Sequence, residues 1–167
     1  MPRISRAKGA LFAFCLLALT LTCPASDRPA SPFPIEIPQT FKVTLSEFGQ
    51  PFYTVQLFTD GLHVKKRDGA KETTTLVRPD LKAWLKFVNR LNGLKLYRWA
   101  SNYPDPGVDD GLQWKVRISF GERVITSEGS NSYPKDGDVG QPNKMELPLK
   151  HSKVFQDFLS ALEELAP

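Results

Sequence analysis

The chain has 167 residues, 41% hydrophobic and 24% charged, which excludes a disordered polyelectrolyte and leaves room for one domain with its own core. Only two cysteines are present, so a disulfide-built scaffold is excluded. A net charge of +4, with its one basic cluster Lys65-Lys66-Arg67 closed by Asp68, excludes a nucleic-acid stripe.

In chain order, Arg3, Arg6 and Lys8 come first and precede an uncharged run from Gly9 to Cys23, the layout of an export signal. The run is about fifteen residues, short of the roughly 20 that span a bilayer as a helix. Residues 1–25 are therefore predicted to be a signal peptide cut after Ala25, with Cys23 and Ala25 as the small residues a signal peptidase reads and Pro24 ending the helix. Two other routes stay open. The leader can be retained as an anchor, or Cys23 can be lipidated, because Thr20-Leu21-Thr22-Cys23 is a degraded form of the bacterial lipoprotein signal. A membrane enters as a partner only by one of those routes. The expected location is the periplasm or the extracellular side.

Removing the leader also removes both cysteines, Cys15 and Cys23, and with them any internal disulfide, thiol nucleophile or cysteine metal site. It takes away three basic residues and no acidic ones, leaving 19 against 18. The high isoelectric point thus belongs partly to the leader.

Residues 26–39 hold Pro29, Pro32, Pro34 and Pro38 and are predicted to be a tether, with a single domain over 40–167. Inside it, Phe41 to Leu45 and Tyr53 to Leu57 alternate as strands around a turn at Gly49-Gln50-Pro51. Asp60-Gly61 signals a tight turn, Leu62-His63-Val64 returns, and Thr73 to Val77 is β-branched enough for a further strand. The period then changes. Leu81, Trp84, Leu85, Val88 and Leu91 share a helical face, and Asn92-Gly93 is predicted to supply a left-handed stop.

Leu94 to Ala100 reads as extended, with Leu94 and Leu96 on one face and Lys95, Tyr97 and Trp99 on the other. A loop follows over Ser101 to Gly111, then the clearest strand, Leu112 to Phe120, with Trp114, Val116 and Ile118 facing one way and Gln113, Lys115, Arg117 and Ser119 the other. Gly121-Glu122 turns it into Arg123 to Ser127, before a polar stretch from Glu128 to Asn143. Ser152 is a predicted N-cap for a last helix with Phe155, Phe158, Leu159, Leu162 and Leu165 on one side. Two amphipathic helices and an alternating sheet bury each other's apolar faces best as two layers, so the predicted fold class is α+β, an antiparallel sheet with both helices packed on one face.

Asp110-Gly111-Leu112-Gln113-Trp114, followed by Glu128-Gly129-Ser130-Asn131-Ser132-Tyr133-Pro134 and a short amphipathic helix, resembles a pattern in uncharacterised small exported bacterial α+β proteins and lipoproteins. The likeness spans Leu81 to Leu165. It carries over no catalytic residue.

The residues themselves argue against most chemistries. His63 and His151 are the only histidines and neither has a zinc-motif neighbour. Gly129-Ser130-Asn131-Ser132 is not a nucleophile elbow, and the glycines never form a phosphate-cradling run before a helix, so no nucleotide and no cofactor are expected. Asp105 and Asp109 in one loop and Asp136 and Asp138 in another offer hard oxygen ligands, but aspartates beside Gly and Pro are ordinary turn residues. Asp110 and Glu128 form the one candidate carboxylate pair, for an envelope hydrolase. The favoured function is non-enzymatic, the binding of a protein or cell-envelope component, on a rim made by Tyr97, Trp99 and Tyr103 with Ser130, Asn131 and Tyr133. The competing view of the rim has Tyr97 and Trp99 facing the core.

Overall fold

A computed structural model describes residues 32–104, 111–135 and 152–167. Four strands come first: β1 (Thr40–Glu47), β2 (Gln50–Phe58), β3 (Gly61–Asp68) and β4 (Lys71–Val77). Each of the hairpins joining them turns within a few residues, and Gly49, Gly61 and Gly69 take the positive φ these turns require. Helix α1 (Leu81–Gly93) follows, then a single 3₁₀ turn at Leu96–Arg98 and the short β5 (Asn102–Tyr103). The long hairpin β6 (Leu112–Phe120) and β7 (Arg123–Ser130) and helix α2 (Lys153–Leu165) complete the chain.

The strands form one seven-stranded sheet in the order β4-β3-β2-β1-β6-β7-β5. Every neighbouring pair is antiparallel except β5 with β7. β6 returns from the far side of α1 to pair with β1, placing Leu45 opposite Trp114 and Val43 opposite Val116. That register puts the apolar half of each alternation on one side of the sheet.

Both helices lie on that side. Phe41 of β1 meets the rings of Trp84 and Phe87 from α1 edge-on, at centroid distances of 5.9 and 5.4 Å. Trp114 of β6 meets Phe155 of α2 at 5.0 Å. Each of these side chains, once buried, contributes roughly 1.5–3 kcal/mol of transfer free energy. The predicted α+β two-layer fold is thus the observed one.

The helix starts are set by capping. The Asp80 carboxylate accepts from the Ala83 N–H at 2.7 Å, and the Ser152 hydroxyl accepts from the Phe155 N–H at 3.2 Å. Along α1 the buried set is Trp84, Phe87, Val88 and Leu91, whereas Leu81 is exposed and Leu85 half-buried. The stop differs from the expected Asn92-Gly93. Leu94 caps the helix in a right-handed conformation, and Lys95 takes the left-handed one at φ 53°. Asn92 is occupied elsewhere: its side-chain oxygen accepts from the Phe33 N–H at 2.6 Å and its amide donates to the Phe33 carbonyl at 3.0 Å.

That clamp changes the reading of the proline-rich lead-in. Phe33 and Pro38 are buried, and the Phe33 ring lies 5.1 Å from Phe120 and beneath the Arg123 guanidinium at 5.2 Å. The segment predicted to be a tether is thus docked on the domain at Phe33 and Pro38, while residues 34–37 between them are exposed. Helices α1 and α2 are joined at their outer surface by Glu164, which accepts from Lys86 at 2.7 Å and also pairs with Arg90. These bonds hold the Glu164 carboxyl below its ordinary range, with Lys86 the larger cause.

Candidate binding face

The region expected to be an extended strand, Leu94 to Ala100, is instead the left-handed Lys95 followed by the 3₁₀ turn. A strand would alternate sides, but the tighter turn buries Leu96 and brings Trp99 back inward. Trp99 is only 8% exposed and packs against Trp114 at 5.9 Å and Phe158 at 5.5 Å, while its indole N–H donates to the Leu94 carbonyl at 3.3 Å. Tyr103 is fully buried; its ring lies 5.7 Å from Trp114 and its hydroxyl accepts from the Ala100 N–H at 2.9 Å. Tyr133 is buried against Phe155 at 4.9 Å, and burial pushes its phenol up to about 12. Tyr97 is half-buried, edge-on to Phe33 at 6.0 Å. The expected aromatic rim is therefore corrected to a core cluster, the alternative in which Trp99 faces inward.

The short motif residues close that cluster. Asn131 ends β7 at φ 50°, its side-chain oxygen accepts from the Leu112 N–H at 2.9 Å, and its own N–H donates to the Leu112 carbonyl at 2.9 Å. A Cβ on Gly111 would lie 2.1 Å from the Asn131 amide, and one on Gly129 would lie 2.5 Å from the Ser132 carbonyl and 2.6 Å from the Trp114 indole nitrogen. That indole N–H donates to Ser132 at 2.8 Å. Gly111, Trp114, Gly129 and Asn131 are thus a structural lock in which each side chain, or its absence, is dictated by the next.

Of the six residues expected to bind, Ser130 lines the face of the sheet that the helices leave uncovered. Glu128 lies on the same face, its carboxylate 2.6 Å from the Lys115 ammonium. Its expected carboxylate partner Asp110 lies outside the described residues, as do Asp105, Asp109, Asp136, Asp138 and Cys23. Among the described residues no group of three His, Cys, Asp or Glu is arranged to hold a metal ion.

The uncovered face is made mainly by the polar half of the alternations. Lys42, Thr44 and Ser46 of β1 lie beside Arg117, Lys115 and Gln113 of β6, and β7 adds Thr126, Glu128 and Ser130. β2 and β3 extend it with Thr54, Gln56, His63, Lys65 and Arg67, and β4 adds Glu72 and Thr74. A shallow groove of about 450 Å³ crosses the β1, β6 and β7 part, and a second of about 320 Å³ crosses β2 and β3; Lys42 lines both.

Charge on this face is unequally compensated. Lys115 has Glu128, and Lys65 has Glu72 at 3.7 Å. Lys42 and Arg117, direct register partners on the two central strands, are both exposed and have no ion-pair or hydrogen-bond partner among the described residues. Like charges opposite each other on adjacent strands repel, so this placement works against stability. At the far corner His63 bonds Asp60 at 2.9 Å and its ring lies tilted 4.6 Å from that of Phe58; the Asp60 bond is the main cause holding the Asp60 carboxyl below its ordinary range.

Sequence reasoning identified Lys115 and Arg117 as facing away from the core but missed Lys42 as the neighbour of Arg117. The signal was the out-of-phase lysine in Phe41-Lys42-Val43, and using it required the β1–β6 register, which joins positions 75 residues apart. No protein-family model matches the chain, and no curated protein matches it either.

Proposed function

We propose that the protein is an exported, non-enzymatic binding module of the cell envelope that takes its partner on the uncovered face of the sheet. The observation that carries this reading is the contrast within one sheet: two helices cover one face, while the other presents a groove lined mainly by polar and charged residues, with an uncompensated Lys42–Arg117 pair at one end of it. A folded domain keeps like charges side by side at a cost in stability, and a bound anion removes that cost. Export rests on the Arg3-Arg6-Lys8 flank and the apolar run behind it. Among the described residues no helix is long and apolar enough to cross a membrane, so attachment of the folded domain would fall to the leader or to a lipid on Cys23.

Two measurements test this. Fractionation with mass spectrometry of the N-terminus should find the protein outside the cytoplasm, starting at or near Ser26; intact Met1 in the cytoplasmic fraction would overturn export, and diacylglycerol on Cys23 would select the lipoprotein route. Cosedimentation with purified envelope material should retain the protein and leave that material chemically unchanged. Release of new reducing ends or peptides would instead restore the hydrolase, and failure to sediment with any envelope fraction would remove the binding role.

A further inference from the structure

We infer that the partner held on the uncovered sheet face is an acidic polysaccharide, with Lys42 and Arg117 taking its anionic groups; this rests on the reading that this face is the binding site and narrows the partner to one chemical class. Three features of the face choose that class. The first is the pattern of cations. Lys42 and Arg117 stand side by side at the strand spacing of about 4.8 Å, and Lys115 follows two positions along β6, about 7 Å away on the same side. Lys115 and Lys65, on either side of the pair, are already neutralised by Glu128 and Glu72. An anion entering the groove therefore meets its strongest attraction at the Lys42–Arg117 end, where two adjacent acidic groups of a polymer can be met at once.

The second feature is what surrounds the cations. Thr44, Thr54, Gln56, Gln113 and Thr126 supply hydroxyl and amide groups that donate and accept, the chemistry that pairs with sugar hydroxyls. The third is where the apolar groups lie. Phe58, Leu76 and Val124 are the large exposed hydrophobics of this face; all sit at strand ends or on the edge strand, with Phe58 and Val124 diagonal to Lys42 and Arg117 and none between the two cations. A protein partner would be anchored by an apolar centre, and a membrane surface would need apolar side chains aimed outward at its middle. A single-stranded nucleic acid would need rings on which successive bases stack beside the cations. On this face the outward positions of β1 and β6, Lys42, Thr44 and Ser46 with Arg117, Lys115 and Gln113, are all polar, and the exposed apolar groups stay on the flanking strands.

The experiment measures binding of the purified protein by calorimetry at low and moderate salt, with the fold monitored by circular dichroism. The probes are oligogalacturonate, which carries carboxylates, and a phosphorylated dextran, which carries phosphates; neutral dextran, polyglutamate, single-stranded DNA and phosphatidylglycerol vesicles are run beside them. At least one acidic glycan should bind, more weakly as salt rises, and the stronger of the two identifies the anion. The double variant K42Q/R117Q should lose affinity at least tenfold. A charge-matched control, K82Q/R98Q, should stay within twofold of the parent. Should the double variant not fold, R117Q alone carries the same expectation at a threefold loss or more. Equal binding of polyglutamate, DNA or vesicles with the same sensitivity would overturn the glycan class, as would failure of both acidic glycans. If the glycans fail but K42Q/R117Q still abolishes sedimentation with envelope material, the face remains the partner site and only the class falls. If the double variant sediments like the parent, the reading of the face falls with it.

Discussion

The two faces of the sheet are built from the same strands and nearly the same alternation, yet they are organised by different rules. On the helix side each residue is fixed by its neighbours: Trp114 is held by Ser132, leaves no room for a side chain at Gly129, and packs with Trp99, Tyr103 and Phe155. On the uncovered side the central residues touch little, and two cations are left side by side. A close-packed side cannot change without loss, whereas an open side can carry an arrangement that is locally unfavourable. Buried aromatic residues in this protein therefore report on folding, and the proposed binding role falls to the lysines and threonines opposite them.

The sharpest way to break that contrast is to remove the centre of the helix side. Trp114→Ala should lower stability by about 3–5 kcal/mol, since it empties a space lined by three aromatic rings and leaves the Ser132 carbonyl without its indole donor. Denaturant titration reads this directly. A loss below about 1 kcal/mol would mean that the motif residues are not the lock described.

Phe33→Ala should follow, at about 2–4 kcal/mol, if the lead-in is part of the packed domain. The ring touches Tyr97 and Phe120, and the backbone of Phe33 is bound twice by Asn92. A merely tethering segment would give no measurable change. Prolines spaced through residues 29–38 gave the sequence a tether's composition, and nothing local distinguishes a Phe that docks from one that does not. The distinction is made by Asn92, some sixty residues on. Six of the seven strands, both helices and the Ser152 cap were legible because each is announced within a few residues by alternation, helical spacing or a cap; the two-residue β5 lies in the stretch expected to be a loop, and the Asp80 cap was missed. The turn at Leu96–Arg98 was not, since five residues of alternating character fit a strand equally well and burial of Leu96 and Trp99 decides the matter. The candidate site was legible only in part for the same reason: each cation could be assigned to a solvent-facing position, but the Lys42–Arg117 pair exists only through the register of β1 with β6.

A third test uses alkali. Burial raises the phenols of Tyr53 and Tyr133 to about 12 in the folded protein, against 10.0 when exposed; the charge of Glu163 is a second cause at Tyr53. The folded state thus holds these protons more tightly, so the stability associated with them is complete below pH 10 and is lost as pH rises toward 12. For Tyr133 a difference of about two units corresponds to roughly 2–3 kcal/mol across that window. In Tyr133→Phe the fall in stability between pH 9 and 12 should be shallower by about that amount, whatever the variant's stability at neutral pH. An unchanged slope would show that Tyr133 is open to solvent.

The smallest effect is expected on the uncovered face, and its sign is the informative part. Lys42→Thr removes one of two like charges held opposite each other and installs a β-branched residue suited to a strand, next to Thr44 on the same side. Stability should rise by about 0.2–1 kcal/mol, and the gain should shrink as salt screens the original repulsion. The same substitution at Lys65, whose ammonium faces Glu72, removes an exposed ion pair and should give no gain. Chemical denaturation of both variants at low and high salt measures the difference. A domain with no use for the pair has no physical reason to keep it, so a stabilising, salt-sensitive Lys42→Thr would mark the Lys42–Arg117 row as a place where stability has been given up for binding. A destabilised variant would instead mean that the Lys42 stem packs on its neighbours, and the face would lose its claim to an uncompensated charge.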